Sequence, residues 1–363
     1  MRGSVLASLF LSMTALMLSS LVKRKAAQGF FSLIVLGMGF GAMSVNFSIF
    51  GIIQTGSISL SEPFFWWSTG LFLLAGASYF VLFQQIATAQ LTFESDNRSS
   101  GIRVTCAVQF WLLWICYLGY HVYQKTYPNG DILLFMAVLS VIHWSIAGLF
   151  FTTESDSLSR RIRRGLPKNQ LVRCIVVPFL PGGARGFLFV LGNLVAVWLL
   201  VTGTLTVMEA AESGKSIIVS LRKVISFTVH DRNPSVLLTT GMCFYVVIFL
   251  GIATALGRWG RTISSEIRAG HVRIVTFLLL MAGTLFPALP RLLDIIKLPG
   301  FSYVDLTSPY HTLPVLYSGI APVRTLLFLL LVAATVSLLV SLRAMYSGIT
   351  SILNQDVTMT PVP

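Results

Sequence analysis

Long apolar windows separated by short polar breaks recur along the chain, and nine of them predict helices, near 4–22, 28–53, 64–88, 104–123, 132–152, 186–207, 236–256, 274–290 and 323–342. A hydrocarbon core about 30 Å thick takes roughly 20 apolar residues of helix to cross. Inside it every backbone N–H and C=O must find a partner within the protein, which favours helices. The pattern therefore predicts an all-α, polytopic transmembrane helix bundle. The window 274–290 is short and ends in Phe286-Pro-Ala-Leu-Pro290, a sequence that predicts a kink or a re-entrant turn. Three polar breaks are long, at 153–185, 208–235 and 291–322, and none is large enough to hold a soluble domain.

Composition agrees, with 55% hydrophobic and 11% charged residues and a mean hydropathy of +0.80. The net charge of +13 would point to nucleic acid in a soluble protein, whereas here it follows the rule that cytoplasmic loops are cation-rich. Alternating the loops across the bilayer puts 17 cations on one side: Lys23, Arg24, Lys25, Arg98, Arg103, the seven from Arg160 to Arg185, Arg258, Arg261, Arg268, Arg273 and Arg343. The other side receives nine: Arg2, Lys125, Lys215, Arg222, Lys223, Arg232, Arg291, Lys297 and Arg324. The N-terminus is thus expected outside and the C-terminus in the cytoplasm. The first 25 residues read as a retained membrane helix, because their cations follow the apolar stretch and no small-residue cleavage site appears.

Two loops carry amphipathic segments. Leu158, Ile162, Leu166 and Leu171 recur near helical spacing among Arg160, Arg161, Arg163, Arg164 and Lys168, which predicts a short surface helix that Gly165 and Pro167 stop. Those five cations are the candidate contacts for anionic headgroups or an acidic partner. Glu154 and Asp156 precede them, as acids suit a helix start. Next comes Pro181-Gly-Gly-Ala-Arg-Gly186, expected to be a flexible hinge. In the loop 208–235, Ile217, Ile218, Leu221, Val224 and Ile225 form an apolar stripe beside Lys215, Arg222 and Lys223, predicting an interfacial helix on the outer leaflet.

Catalytic patterns are thin. Gly214-Lys215-Ser216 lacks the earlier glycine of a phosphate loop, whose place Glu209 holds. Cys106, Cys116, Cys174 and Cys243 have no CxxC spacing. His121 and His143 have neither histidine nor carboxylate at helical spacing and are expected to pack near Tyr120 and Trp144. No cofactor or metal is implied. Gly37 and Gly41 make a GxxxG surface for close helix packing. Phe64-Phe-Trp-Trp67 reads as an interfacial aromatic belt.

Residues 7–29, an apolar helix ending in small residues, the basic turn Lys23-Arg-Lys25 and then an Ala-containing helix start, resemble the junction of the fourth and fifth helices in type-2 ABC exporter permeases. The resemblance implies permease-like helices over 1–90, followed by two further spans (91–152), the basic cytoplasmic segment (153–185) and a C-terminal membrane region (186–363). It implies a non-enzymatic subunit of an ATP-driven transport system in a bacterial cytoplasmic membrane, working with a separate ATPase, other membrane subunits and lipids, and without nucleic acid. A non-transporting anchor or scaffold of a larger complex is the alternative. A membrane enzyme is a third reading, with Asp305, Tyr310 and His311 as its candidate polar group.

Overall fold

In a computed structural model the protein is all-helical among the described residues. Those are scattered positions between 70 and 89, then 99–154, 162, 166–167, 169–226, 233–264, 269–292, 306–318 and 323–353. The ordered helices are α1 (Ser100–Gln124), α2 (Gly130–Thr152), α3 (Gln170–Val176), α4 (Gly183–Ser213), α5 (Ile217–Val224), α6 (Pro234–Ile263), α7 (Ala269–Leu292), α8 (Pro309–Ser318) and α9 (Val323–Leu353). Five are long and apolar enough to cross a membrane: α1, α2, α4, α6 and, within α9, Arg324–Leu342. The protein is therefore multi-pass. The expected spans at 4–22 and 28–53 lie outside the described residues, and positions between 70 and 89 are helical.

Local chemistry sets the helix ends. Asn129, Asn169 and Asn233 are N-caps whose side-chain oxygens accept from Asp131 N, Leu171 N and Ser235 N at 2.8, 2.9 and 3.1 Å, satisfying donors that the first turn leaves open. Pro234 follows its cap at the first helical position, where a missing N–H costs nothing. Gly214, with φ 65°, ends α4 in the left-handed conformation.

The chain divides into two units, residues 1–126 and 127–363. In the first, α1 buries Arg103, Cys106, Phe110 and Trp114, three or four residues apart, and exposes the opposite stripe Val104, Val108, Trp111 and Ile115. Gln109 Nε2 donates to Ser78 Oγ at 3.2 Å.

The second unit is built around α6, which packs against α2, α4, α7, α8 and α9. Small residues on α6 allow this. A Cβ on Gly241 would meet Leu316, and one on Gly251 would meet Ser337. Ser337 Oγ reaches Val247 O and Ile248 O across the α6–α9 contact, at 3.2 and 3.3 Å. Trp198 Nε1 on α4 donates to Thr240 Oγ1 on α6 at 3.0 Å. Many other hydroxyls in the spans, among them Ser140, Thr206, Thr254 and Thr335, donate to the carbonyl four residues earlier. They need no polar neighbour from another helix.

In the window 274–290, α7 stays helical through Pro287 and Pro290, against the expected re-entrant turn. Pro287 has no N–H for the carbonyl of Gly283, and Thr307 Oγ1 donates to that oxygen instead, at 3.1 Å. A hydroxyl from another segment thus satisfies the group that the proline orphans.

Candidate functional site: an arginine-capped helix end

The last carbonyls of a helix have no amide partner and carry the negative end of its dipole. At the end of α2 they sit among arginines. Thr152 and Thr153 first fold their hydroxyls back, onto Gly148 O at 2.8 Å and Leu149 O at 3.0 Å. Arg273, at the start of α7, donates from Nη2 to Phe150 O at 3.3 Å and from Nε to Thr153 Oγ1 at 2.9 Å. Its guanidinium lies 4.5 Å above the Phe150 ring. Arg261, near the end of α6, donates from Nη1 to Thr153 O at 3.3 Å and from Nη2 to Glu154 O at 3.4 Å. The planar fork of arginine suits such paired acceptors.

Glu154 serves a second helix. Its Oε2 accepts from Gly182 N at 2.9 Å, and Gly182 is the N-cap of α4, so the carboxylate stands where the α4 dipole is positive. It also lies within electrostatic reach of Arg273. The acid expected to open a basic surface helix is therefore placed after α2 and in front of α4. The orientation is the favourable one at both places: cations at a C-terminus, an anion at an N-terminus.

In Pro181–Gly186, expected to be a flexible hinge, Pro181 is half-buried and Gly182–Gly186 are buried. Gly182 has φ 137°, a conformation side chains resist. A Cβ on Gly183 would lie 2.5 Å from Thr152 O, and one on Gly186 would lie 2.5 Å from Phe151 O. These glycines exist for close backbone approach between α2 and α4. Arg185 is buried and donates from Nε to Pro181 O at 2.7 Å, with Nη2 on the same oxygen. Beside it Phe189 meets Trp144, Phe151 and Phe179 edge-on, centroids 5.5, 6.0 and 5.1 Å away. The corner is closely packed.

Of the residues singled out by sequence, Arg160, Arg161, Arg163, Arg164, Lys168, Gly37 and Gly41 lie outside the described residues. Ile162 and Leu166 pack on Val177 and Leu180. Leu171 belongs to the separate helix α3, where it is exposed with Val172 and Ile175, while Arg173 is buried with Nε on Pro167 O at 3.0 Å. His143 stacks edge-on with Trp144 at 4.9 Å, and His121 with Tyr117 and Tyr120 at 5.0 and 5.4 Å. Among the described residues no group of three or more His, Cys, Asp or Glu side chains could hold a metal. Arg261, Arg273, Glu154 and the glycines are the site that sequence reading missed as a unit. Its one sequence signal was cations clustered just beyond spans.

Set against known family models, curated proteins and solved structures, the chain matches none of them.

Proposed function

We infer that this multi-pass protein is a membrane-anchored scaffold subunit, a chain whose helices hold other subunits of a larger complex in the bilayer. The observation that supports this is the position of α6. It occupies the middle of the second unit, with Val236, Leu237, Val247, Leu250 and Ala253 buried along its length. A helix packed to contact at the centre of this unit supports a structural role for these helices. The arginine-capped end of α2 supports the same role, because it ties α2, α4, α6 and α7 together at one end. Outward faces of α7 and α9 present large apolar side chains, such as Phe277, Leu278, Phe328 and Leu339, to lipid or to neighbouring subunits. The bacterial cytoplasmic membrane is the location that the permease resemblance would imply.

The test is extraction in a gentle detergent, with the assembly sized and its components identified, in cells with and without the chain. A scaffold yields a stoichiometric assembly whose other members leave the membrane or separate when the chain is deleted. A free monomer, with all assemblies intact in the deletion, overturns the reading. A stoichiometric partner carrying a nucleotide-binding phosphate loop would instead favour the ATP-driven permease.

A further inference from the structure

Between the spans α4 and α6 the chain forms the short helix α5, whose two faces are used in opposite ways. Ser220 and Val224 are buried, and α5 packs back on α4. Lys223 Nζ holds Glu209 Oε1 at 2.7 Å, which pins the hairpin that Gly214 opens. The other apolar side chains of the helix are uncovered: Ile217 is 63% exposed, Ile218 80% and Val219 50%, with Leu221 also exposed. Lys215 and Arg222 flank this surface and are exposed.

We propose that α5 lies in the interface of the bilayer, with Ile217, Ile218 and Leu221 among the upper acyl chains and Lys215 and Arg222 on phospholipid phosphates. Three observations on the molecule favour lipid over a protein occupant. The helix is confined to a membrane surface, since both flanking helices are spans and only short links separate it from them. α4 has 31 residues, about 46 Å at 1.5 Å per residue, against a core of about 30 Å. Its last turns, which carry Glu209 and Glu212, therefore stand at headgroup level, and the Lys223–Glu209 pair fixes α5 beside them. Finally, a uniformly aliphatic face with cations at its edge is the composition that sinks a few ångströms below the headgroups while long basic side chains reach back to them. The phosphate is common to zwitterionic and anionic lipids, and Glu212 offsets part of the local positive charge, so net anionic lipid is not required.

The experiment uses the full chain in vesicles of phosphatidylcholine, with and without phosphatidylglycerol. A photoreactive phenylalanine analogue replaces Ile218 in one preparation and the buried Val224 in another, and products after illumination are weighed by mass spectrometry. Phospholipid adducts at position 218 in both vesicle types, at several times the yield found at 224, are expected. The K215Q/R222Q double variant, probed at 218, is expected to lower that yield at least twofold. Adducts to a second copy of the chain, or water-quenched product alone, overturn the proposal. An unchanged yield in the double variant overturns the phosphate contact. If position 224 prevents folding, Thr206, buried on α4, supplies the low-yield reference.

Discussion

Thr307 and Pro287 are coupled through one oxygen. Replacing Thr307 with valine removes the donor to Gly283 O, and a hydrogen bond of this kind contributes about 0.5–1.5 kcal/mol. T307V should lower the unfolding midpoint in detergent measurably. In a P287A background the same change should cost less, because residue 287 then supplies its own N–H to that carbonyl. Equal costs in both backgrounds would show that the hydroxyl acts elsewhere. Gly186 gives a sharper contrast. An alanine there meets the Phe151 backbone at 2.5 Å, overpacking of a kind that costs about 1–3 kcal/mol. At Gly192 on the same helix nothing lies within 4 Å, and alanine should gain about 0.5–1 kcal/mol from helix propensity. Thermal unfolding of G186A and G192A should therefore move in opposite directions.

At the scale of elements, α6 and α9 meet at one point where shape and hydrogen bonding coincide. A Cβ on Gly251 would lie 1.7 Å from Ser337 Oγ, so G251A forces the hydroxyl off Val247 O and Ile248 O. S337A removes the obstruction along with the hydrogen bonds. The double variant should be more stable than the sum of the two single losses predicts, a coupling expected for residues in contact; additive losses in a double-mutant cycle would contradict the contact. Five of the apolar windows coincide with long apolar helices, but the helix ends were not legible from hydropathy. The windows 186–207 and 236–256 proved to be the apolar centres of Gly183–Ser213 and Pro234–Ile263, because hydropathy senses the hydrocarbon and backbone hydrogen bonding carries a helix past it. The Pro181–Gly186 segment was misread for a related reason. Glycine signals either freedom or close approach, and only the facing carbonyls of Phe151 and Thr152 decide which. Arg261 and Arg273 were read as orientation signals; that they also cap α2 depends on contacts more than a hundred residues apart in sequence.

For the whole molecule, a single crossing by α4 puts α3 and α5 on opposite faces of the membrane. Cys174 on α3 is exposed, and so is Lys215 before α5. A membrane-impermeant maleimide should modify Cys174 only from the cytoplasmic side and the K215C thiol only from the other, as the distribution of cations predicts. Labelling of both from one side would remove α4 from the spans, and the reverse pattern would invert the whole topology.

The contact between Glu154 and Gly182 joins positions 28 apart in sequence, and its consequence is modular. The two ends of the intervening stretch are pinned to each other, Glu154 at one and Gly182 at the other. Loop closure grows slowly in cost with length, so residues added or removed between 155 and 161 should change what that side of the membrane displays while leaving the register of α2 and α4 untouched. The α2–α4 frame can be kept while the segment between its two posts is rewritten.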